Sequence, residues 1–326
     1  MASLSENESK YKCRRSPTEA GQEMKAFIIL NPASGKNSGA AVRDAISRYF
    51  PGSQIDYEIY ETIKEDKPGD IVSTRLKDSF DLVVAAGGDG TITAVIDGLV
   101  GSAVPLGIIP AGTANLLAHE LNVPSEIEEA VALITGAHKF RKIDVMRIGK
   151  RSYVLNASLG ISASVVKGTT RKIKNRFGRA AYVWTAILKI FTLRSRYLAV
   201  AIDGKALSYR AVEVAIFNCG ILAKQLYPKG PDIRIDDGHV DVWIASLGTL
   251  LDYPRYLFEM ITRRPAKHLS HFISSKEGVS IKTGIPLPVQ ADGDIIGTTP
   301  VELKVLPAAV TIIVPEEPVI PDSGLD

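Results

Sequence analysis

The 326-residue sequence has only two cysteines, no apolar run of membrane-spanning length, and one long stretch without a single acidic residue. Each scarcity excludes something. Cys13 and Cys219 match no metal-ligand spacing and build no disulfide framework, so a reducing cytoplasm is expected. No segment approaches the roughly 18 consecutive apolar residues of a membrane helix. The opening MASLSENESKYKCRRSPTEAGQE lacks the apolar stretch of a secretory signal, so residues 1–23 read as a disordered tail and 316–326 as a loose one. Between Asp144 and Asp203 there is no Asp or Glu, yet twelve of the chain's 39 Lys and Arg fall there. The net charge of +3 conceals this, because elsewhere 27 bases face 36 acids. One end of the molecule is expected to be electropositive. No recognition helix or RNA motif accompanies the charge, so nucleic acid is not an expected partner.

What is present falls into two regimes. From 24 to 145, short apolar runs (MKAFIIL, IDYEIY, DLVVAA, PLGIIP) alternate with helix-length segments, the pattern of an α/β domain built on a parallel sheet. After RKIDVMRI the period changes. SYVLNASLG, RYLAVAI, AVEVAIFN, HVDVWIA, GVSIKT, LPVQADGD, PVELKVL and AVTIIVP predict an antiparallel β-sandwich or barrel over 146–315, with helical stretches near 178–193 and 249–262.

The stretch DLVVAAGGDGTITAVIDGLV, residues 81–100, runs a buried strand into a bare loop holding one carboxylate. Glycines let backbone approach a bulky anion, and the helix expected from about Thr91 would offer free N–H groups to a phosphate. Asp89, itself an anion, fits there by orienting a Mg²⁺ that bridges phosphates, or by taking a proton from an attacking hydroxyl. A plain glycine turn with Asp89 as helix cap explains this loop equally well on its own. Two more loops follow strands in the same domain: ILNPASGKNSG, with Asn31, Ser34, Gly35 and Lys36, and IIPAGTANLLAHEL, with Gly112, Thr113 and Asn115. Three such loops at one sheet edge would converge on one crevice, which ordinary turns would match only by repeated coincidence. Thr62, after the second strand, is within reach of it. The G-x-x-x-x-G-K-[ST] phosphate loop, the G-x-G-x-x-G dinucleotide fingerprint and the protein-kinase signatures are all missing.

NPASGK, GGDGT, PAGTANLLAHEL and RKIDVMRI, followed by YVLNASLGISA, FGRAAYVWTA, AIFNCG, IRIDDGHVDVWIA and VQADGD, resemble the catalytic domain of the diacylglycerol kinase family of soluble lipid kinases. The family also includes sphingosine and ceramide kinases. The likeness spans nearly the whole ordered chain, although GGDGT alone is shared with the NAD kinases. It implies an α/β domain followed by a β-sandwich, with ATP and Mg²⁺ between them and a lipid hydroxyl as acceptor. Contacts to ATP are implied at Asn31, Pro32, Ala33, Ser34, Gly35, Lys36, Thr62, Gly87, Gly88, Asp89, Gly90, Thr91, Ile92, Thr93 and Thr113. Gly112 and Asn115 join them from the loop reading. Asp89, Asp144 and Lys36 would belong to the network around the catalytic magnesium. In VQADGD the family usually has D-G-E, so the shorter Asp294 leaves Asp292 as the better base, with Asp294 second and Asp89 a further candidate. IRIDDGHVD matches a structural metal site using the Asp237 carboxylate and the carbonyls of Arg234 and His239, although Asp237 reads equally well as a turn residue before Gly238.

A lipid acceptor gives the acid-free interval a use. The run KGTTRKIKNRFGR suits peripheral docking on an anionic membrane surface, each cation there being worth about 1 kcal/mol. The adjoining FGRAAYVWTAILKIFTL could supply an acyl-chain entrance, or simply a core helix. A cytoplasmic, peripherally membrane-associated lipid kinase is therefore expected, with a homodimer left open. The alternatives are an NAD kinase-like enzyme and a non-catalytic nucleotide or lipid sensor of the same fold.

Overall fold

The computed structural model describes residues 24–35, 38–160, 195–226, 231–247, 249, 252–262 and 269–316. The basic run, the whole aromatic segment after it with the helical stretch expected near 178–193, and Lys36 lie outside the described residues. The chain divides into two compact units, one comprising residues up to Ile143 together with those from Ala308 on, the other Asp144–Pro307.

In the first unit the elements alternate: β1 (Met24–Leu30), α1 (Ser38–Tyr49), β2 (Ile55–Glu61), α2 (Pro68–Arg75), β3 (Leu82–Gly87), α3 (Asp89–Leu99), β4 (Leu106–Pro110), α4 (Leu116–Glu120) and α5 (Ile127–Thr135). The strands form a parallel sheet in the order β2-β1-β3-β4. β3 and β4 are buried along their whole length, as their unbroken apolar runs require of strands covered on both faces. Helices present matching stripes: Val42, Ala45 and Ile46 on α1, and Ile92, Val95, Ile96 and Leu99 on α3, are all buried. Each such Val, Ile or Leu side chain contributes about 1.5–3 kcal/mol by leaving water.

β5 (Lys139–Ile148) leads into the second unit, which continues with β6 (Arg151–Tyr153), β7 (Asn156–Gly160), β8 (Arg196–Ile202), β9 (Lys205–Phe217), α6 (Gly220–Leu226), β10 (Val240–Ser246), α7 (Asp252–Thr262), β11 (Ser270–Ser275), β12 (Gly278–Thr283), β13 (Pro288–Ala291), β14 (Asp294–Thr298) and β15 (Val301–Val314), whose residues from Ala308 on belong to the first unit. The pairs β14-β13-β7-β9-β8-β12-β15 are antiparallel, and β9 also pairs with β10, which pairs with β11. β9 bonds β8 as far as Ala211, which also pairs with Ser246 of β10, and from Glu213 on it pairs with both β7 and β10. The result is an antiparallel β-sandwich filled by Leu159, Val200, Val214, Val242, Ile281 and Leu303 among others.

Three features depart from the sequence reading. PVELKVL and AVTIIVP form one strand, β15, whose first half alternates in burial while its last three residues are all buried; Ala308, at φ +49°, marks the change. SYVLNASLG breaks into β6 and β7, because Val154 and Leu155 give their amides to a carboxylate instead of a ladder. SHFISS, with little apolar alternation, forms β11 all the same, held by β10.

Candidate functional site

β1 has β2 on one side and β3 on the other, so successive crossovers leave in opposite directions and a crevice is left beyond the carboxyl ends of β1 and β3. The predicted loops meet there. The Asn31 backbone N–H donates to the Ala86 carbonyl at 2.9 Å, and its Nδ2 donates to Thr91 Oγ1 at 2.9 Å. Asn31 Oδ1 accepts from the Ala33 N–H, and Ser34 Oγ accepts from the Gly88 N–H at 3.3 Å. From the β4 side, Ala111 N–H donates to the Gly87 carbonyl, and Gly112 N–H donates to Asn115 Oδ1 at 2.9 Å. Asn115 sits at φ +46°, a left-handed conformation that Asn tolerates better than most residues. Gly88 and Gly112 are in backbone contact: a Cβ on Gly112 would lie 2.5 Å from the Gly88 Cα. Thr62 N–H donates to the Leu30 carbonyl at 2.8 Å, bringing the fourth loop alongside. Pro32, Ala33 and Gly35 are exposed, whereas Ile92 is fully buried and leaves only its backbone for a ligand.

α3 begins at Asp89, two residues earlier than Thr91. Gly88, extended at φ −89°, precedes it without a side-chain cap. Uncapped first-turn amides and the helix dipole suit a phosphate. Asp89 stands in that first turn, where its Oδ1 accepts from the Leu117 N–H at 3.3 Å, so it ties α3 to the start of α4. Among the described residues no three His, Cys, Asp or Glu side chains gather into a ready metal cage. One carboxylate beside amides suited to a phosphate nonetheless fits Mg²⁺, which commonly keeps phosphate oxygens and water as its remaining ligands.

The other predicted carboxylates lie in the second unit. Asp292 occupies the β13–β14 turn at φ +46°. Its Oδ2 accepts from the Val154 N–H at 2.8 Å, and its Oδ1 accepts from those of Leu155 at 2.9 Å and Asn156 at 3.0 Å. The Asp292 N–H returns a bond to the Asn156 carbonyl. Asp294, two residues on, is exposed. Asp144 is buried, and its Oδ2 accepts from the Gly238 N–H at 2.6 Å, which joins it to the Asp237 turn. That turn closes on itself: the His239 N–H donates to Asp237 Oδ1 at 3.0 Å, and His239 Nδ1 carries the hydrogen it gives to the Asp237 carbonyl at 2.7 Å. Arg234 Nε lies 3.5 Å from Asp236 Oδ1 at the entrance of the same turn. Burial, and then the charge of Asp237, push the Asp241 carboxyl above its usual range.

Two residues with no assigned role in the sequence complete this region. Gln290, nearly fully buried, donates from Nε2 to Ser158 Oγ at 2.8 Å and accepts the Gly293 N–H on Oε1, which fixes the Asp292 turn. Asn218, also buried, donates from Nδ2 to the carbonyls of Asp144 and Val154. The available signal was a polar amide inside or closing an apolar strand, as in PVQA and AVEVAIFN, since such a group needs partners once buried.

Comparison with known proteins follows the same two-part division. Residues 25–148 match the model of the diacylglycerol kinase catalytic domain, and residues 156–314 match that of a YegS C-terminal NAD kinase β-sandwich-like domain. An uncharacterized protein of Synechocystis is 29% identical over 316 residues, covering 91% of this chain and 72% of its own. A diacylglycerol kinase of Staphylococcus haemolyticus is 25% identical over 299 residues, with 90% and 88% covered, and one of Staphylococcus aureus is 26% identical over 304 residues, with 90% and 93% covered. Among solved structures, a diacylglycerol kinase from Bacillus anthracis superposes with a TM-score of 0.67 at 20% identity over 91% of this chain and 98% of that one, a likeness of fold.

Proposed function

Because the chain belongs to the diacylglycerol kinase catalytic-domain family, we propose that it is an ATP-dependent lipid kinase, transferring the γ-phosphoryl group to a hydroxyl of a lipid such as diacylglycerol or a sphingoid base. The observation that carries this reading is the meeting of the loops after β1, β3 and β4 at a sheet switch point, joined by the Asn31–Thr91 bond and the Gly88–Gly112 contact.

Phosphoryl transfer through a loose transition state asks for positioning and charge neutralisation more than covalent chemistry. In this reading the backbone from Asn31 to Gly35 and from Gly87 to Thr91 cradles the phosphates, with Thr62, Thr113 and the Lys36 cation adding contacts. Asp89, with Asp144 as an outer partner, would hold Mg²⁺, whose charge offsets that on the transferring oxygens. Asp292 would accept the proton of the attacking lipid hydroxyl, its two oxygens held in a fixed direction by three amides. Asp294 is the second candidate for that proton. A structural metal at Asp237, with the carbonyls of Arg234 and His239, would brace the turn that bonds Asp144. A bilayer substrate would be met by peripheral docking, for which the acid-free interval is the proposed element; among the described residues no helix is long and apolar enough to cross a membrane.

The test is direct. The full chain is incubated with labelled ATP, Mg²⁺ and, in parallel, diacylglycerol, a sphingoid base or NAD. Label in the organic phase supports the proposal, label on NAD transfers the assignment to the NAD kinases, and no transfer to any acceptor favours a sensor.

A further inference from the structure

Resting on the reading of Asp144 and Asp292 as carboxylates of the reaction, we propose that Asn218 is the positioning residue that fixes the seats of both. Asn218 follows the last residue of β9 and is fully buried. Its Nδ2 donates to the Asp144 carbonyl at 2.9 Å and to the Val154 carbonyl at 2.8 Å, and its backbone N–H donates to the Leu155 carbonyl at 3.1 Å. Val154 and Leu155 are also two of the three residues whose amides hold Asp292. Each of them is therefore gripped twice: its N–H by Asp292, its carbonyl by Asn218. The same side chain reaches the backbone of Asp144, whose own carboxylate grips Gly238.

Chemistry fixes the direction of the amide. Nδ2 has two hydrogens and both are used, whereas the flipped amide would set Oδ1 against two carbonyl oxygens. The orientation has a cost, since Oδ1 is buried and accepts no hydrogen bond among the described residues. Leucine in the same space would avoid that cost, so what Asn218 contributes is its pair of donors. Aspartate has the same shape and no donor, and serine has one. A displacement at this point reaches both carboxylate seats together, and a misplacement of about 1 Å in a reacting constellation costs roughly 10²-fold in rate.

The variants Asn218→Asp, Asn218→Leu and Asn218→Ser test this. Thermal melts give the folded fraction, hydrogen exchange reads the amides of Val154 to Asn156 and Gly238, and steady-state kinetics give kcat, KM for ATP and the pH profile of kcat. The expected result is faster exchange at those amides, kcat lowered roughly 10²-fold in the Asp and Leu variants and less in Ser, KM for ATP unchanged, and a displaced limb of the kcat–pH profile. A kcat that falls only with the folded fraction, on an unmoved pH profile, would make Asn218 a structural residue and overturn the proposal, as would unchanged exchange. If the wild-type chain phosphorylates no lipid, the kinase reading fails separately, and the exchange measurement still decides whether Asn218 holds the two seats.

Discussion

Replacing Asp292 by Asn separates the two roles that this carboxylate combines. Asn is well suited to φ +46°, so the β13–β14 turn itself should survive. One oxygen remains, and it can keep the N–H groups of Leu155 and Asn156, now without the help of a full negative charge. The other becomes an NH₂ and confronts the Val154 N–H, which now lies 2.8 Å from Oδ2. A donor facing a donor in a partly buried site forfeits one charge-assisted bond and leaves one amide unsatisfied, at a cost of about 2–3 kcal/mol. For a unit of this size that corresponds to a fall in Tm of roughly 5–10 °C. Removal of a general base lowers kcat by about 10²–10⁴-fold. Asp294→Asn is the control: its side chain is exposed, so its stability should stay within about 0.5 kcal/mol of wild type. Calorimetry and a labelled-ATP assay on both proteins, at a temperature where each is folded, read the two effects apart. An Asp292→Asn protein with wild-type turnover refutes the assignment of the base, and one with wild-type Tm refutes the three-amide seat. If Asp294→Asn alone loses turnover, the base belongs two residues further on.

Gly112→Ala would place a methyl group 2.5 Å from the Gly88 Cα and 2.7 Å from Asn115 Oδ1. The loops after β3 and β4 must then separate, so ATP affinity should drop at least tenfold in a binding titration; unchanged affinity would remove this contact from the site. Asp203 tests the second unit by pH. Burial raises its carboxyl, but the Ser275 hydroxyl and the amides of Glu277, Lys276 and Gly278 outweigh this and hold it well below its ordinary 3.8. The depressed value means that its stabilisation is complete above 3.8 and is lost as pH falls below that. Asp203→Asn should therefore be less stable than wild type by about 1–2 kcal/mol at neutral pH, with the gap closing in acid; a gap that does not vary with pH would contradict the bonding. Finally, sedimentation with acidic vesicles should weaken steadily as salt rises. Binding indifferent to salt and to lipid charge would discard docking through the acid-free interval.

The first unit was legible because its candidate site is made of backbone. A crevice built from strand ends needs glycines, and glycines are visible: Gly87, Gly88 and Gly112 stand directly after apolar runs, and the contact between Gly88 and Gly112 is the physical reason that the latter two have no side chain. α3 starts two residues before Thr91; Gly90 inside a first turn reads as loop by propensity, although a helix end tolerates it. The second unit hid its site for the opposite reason. Asp292 is bonded by amides from 136 to 138 residues away, and Asn218 by carbonyls 64 and 74 residues away. No local pattern announces partners at such separations. Backbone amides carry no residue identity at all, so nothing in VLN tells a reader that these three peptide groups form the seat of a carboxylate. What the sequence could yield there was the carboxylate itself, through resemblance, together with the anomaly of an amide closing the apolar run of β9. A buried polar side chain at the end of such a strand has to find partners, and here its partners are the segments that carry Asp144 and Asp292. In this fold, then, the groups proposed to bind through their backbone are marked by what they lack, while those proposed to act through side chains depend on neighbours that only the folded chain brings to them.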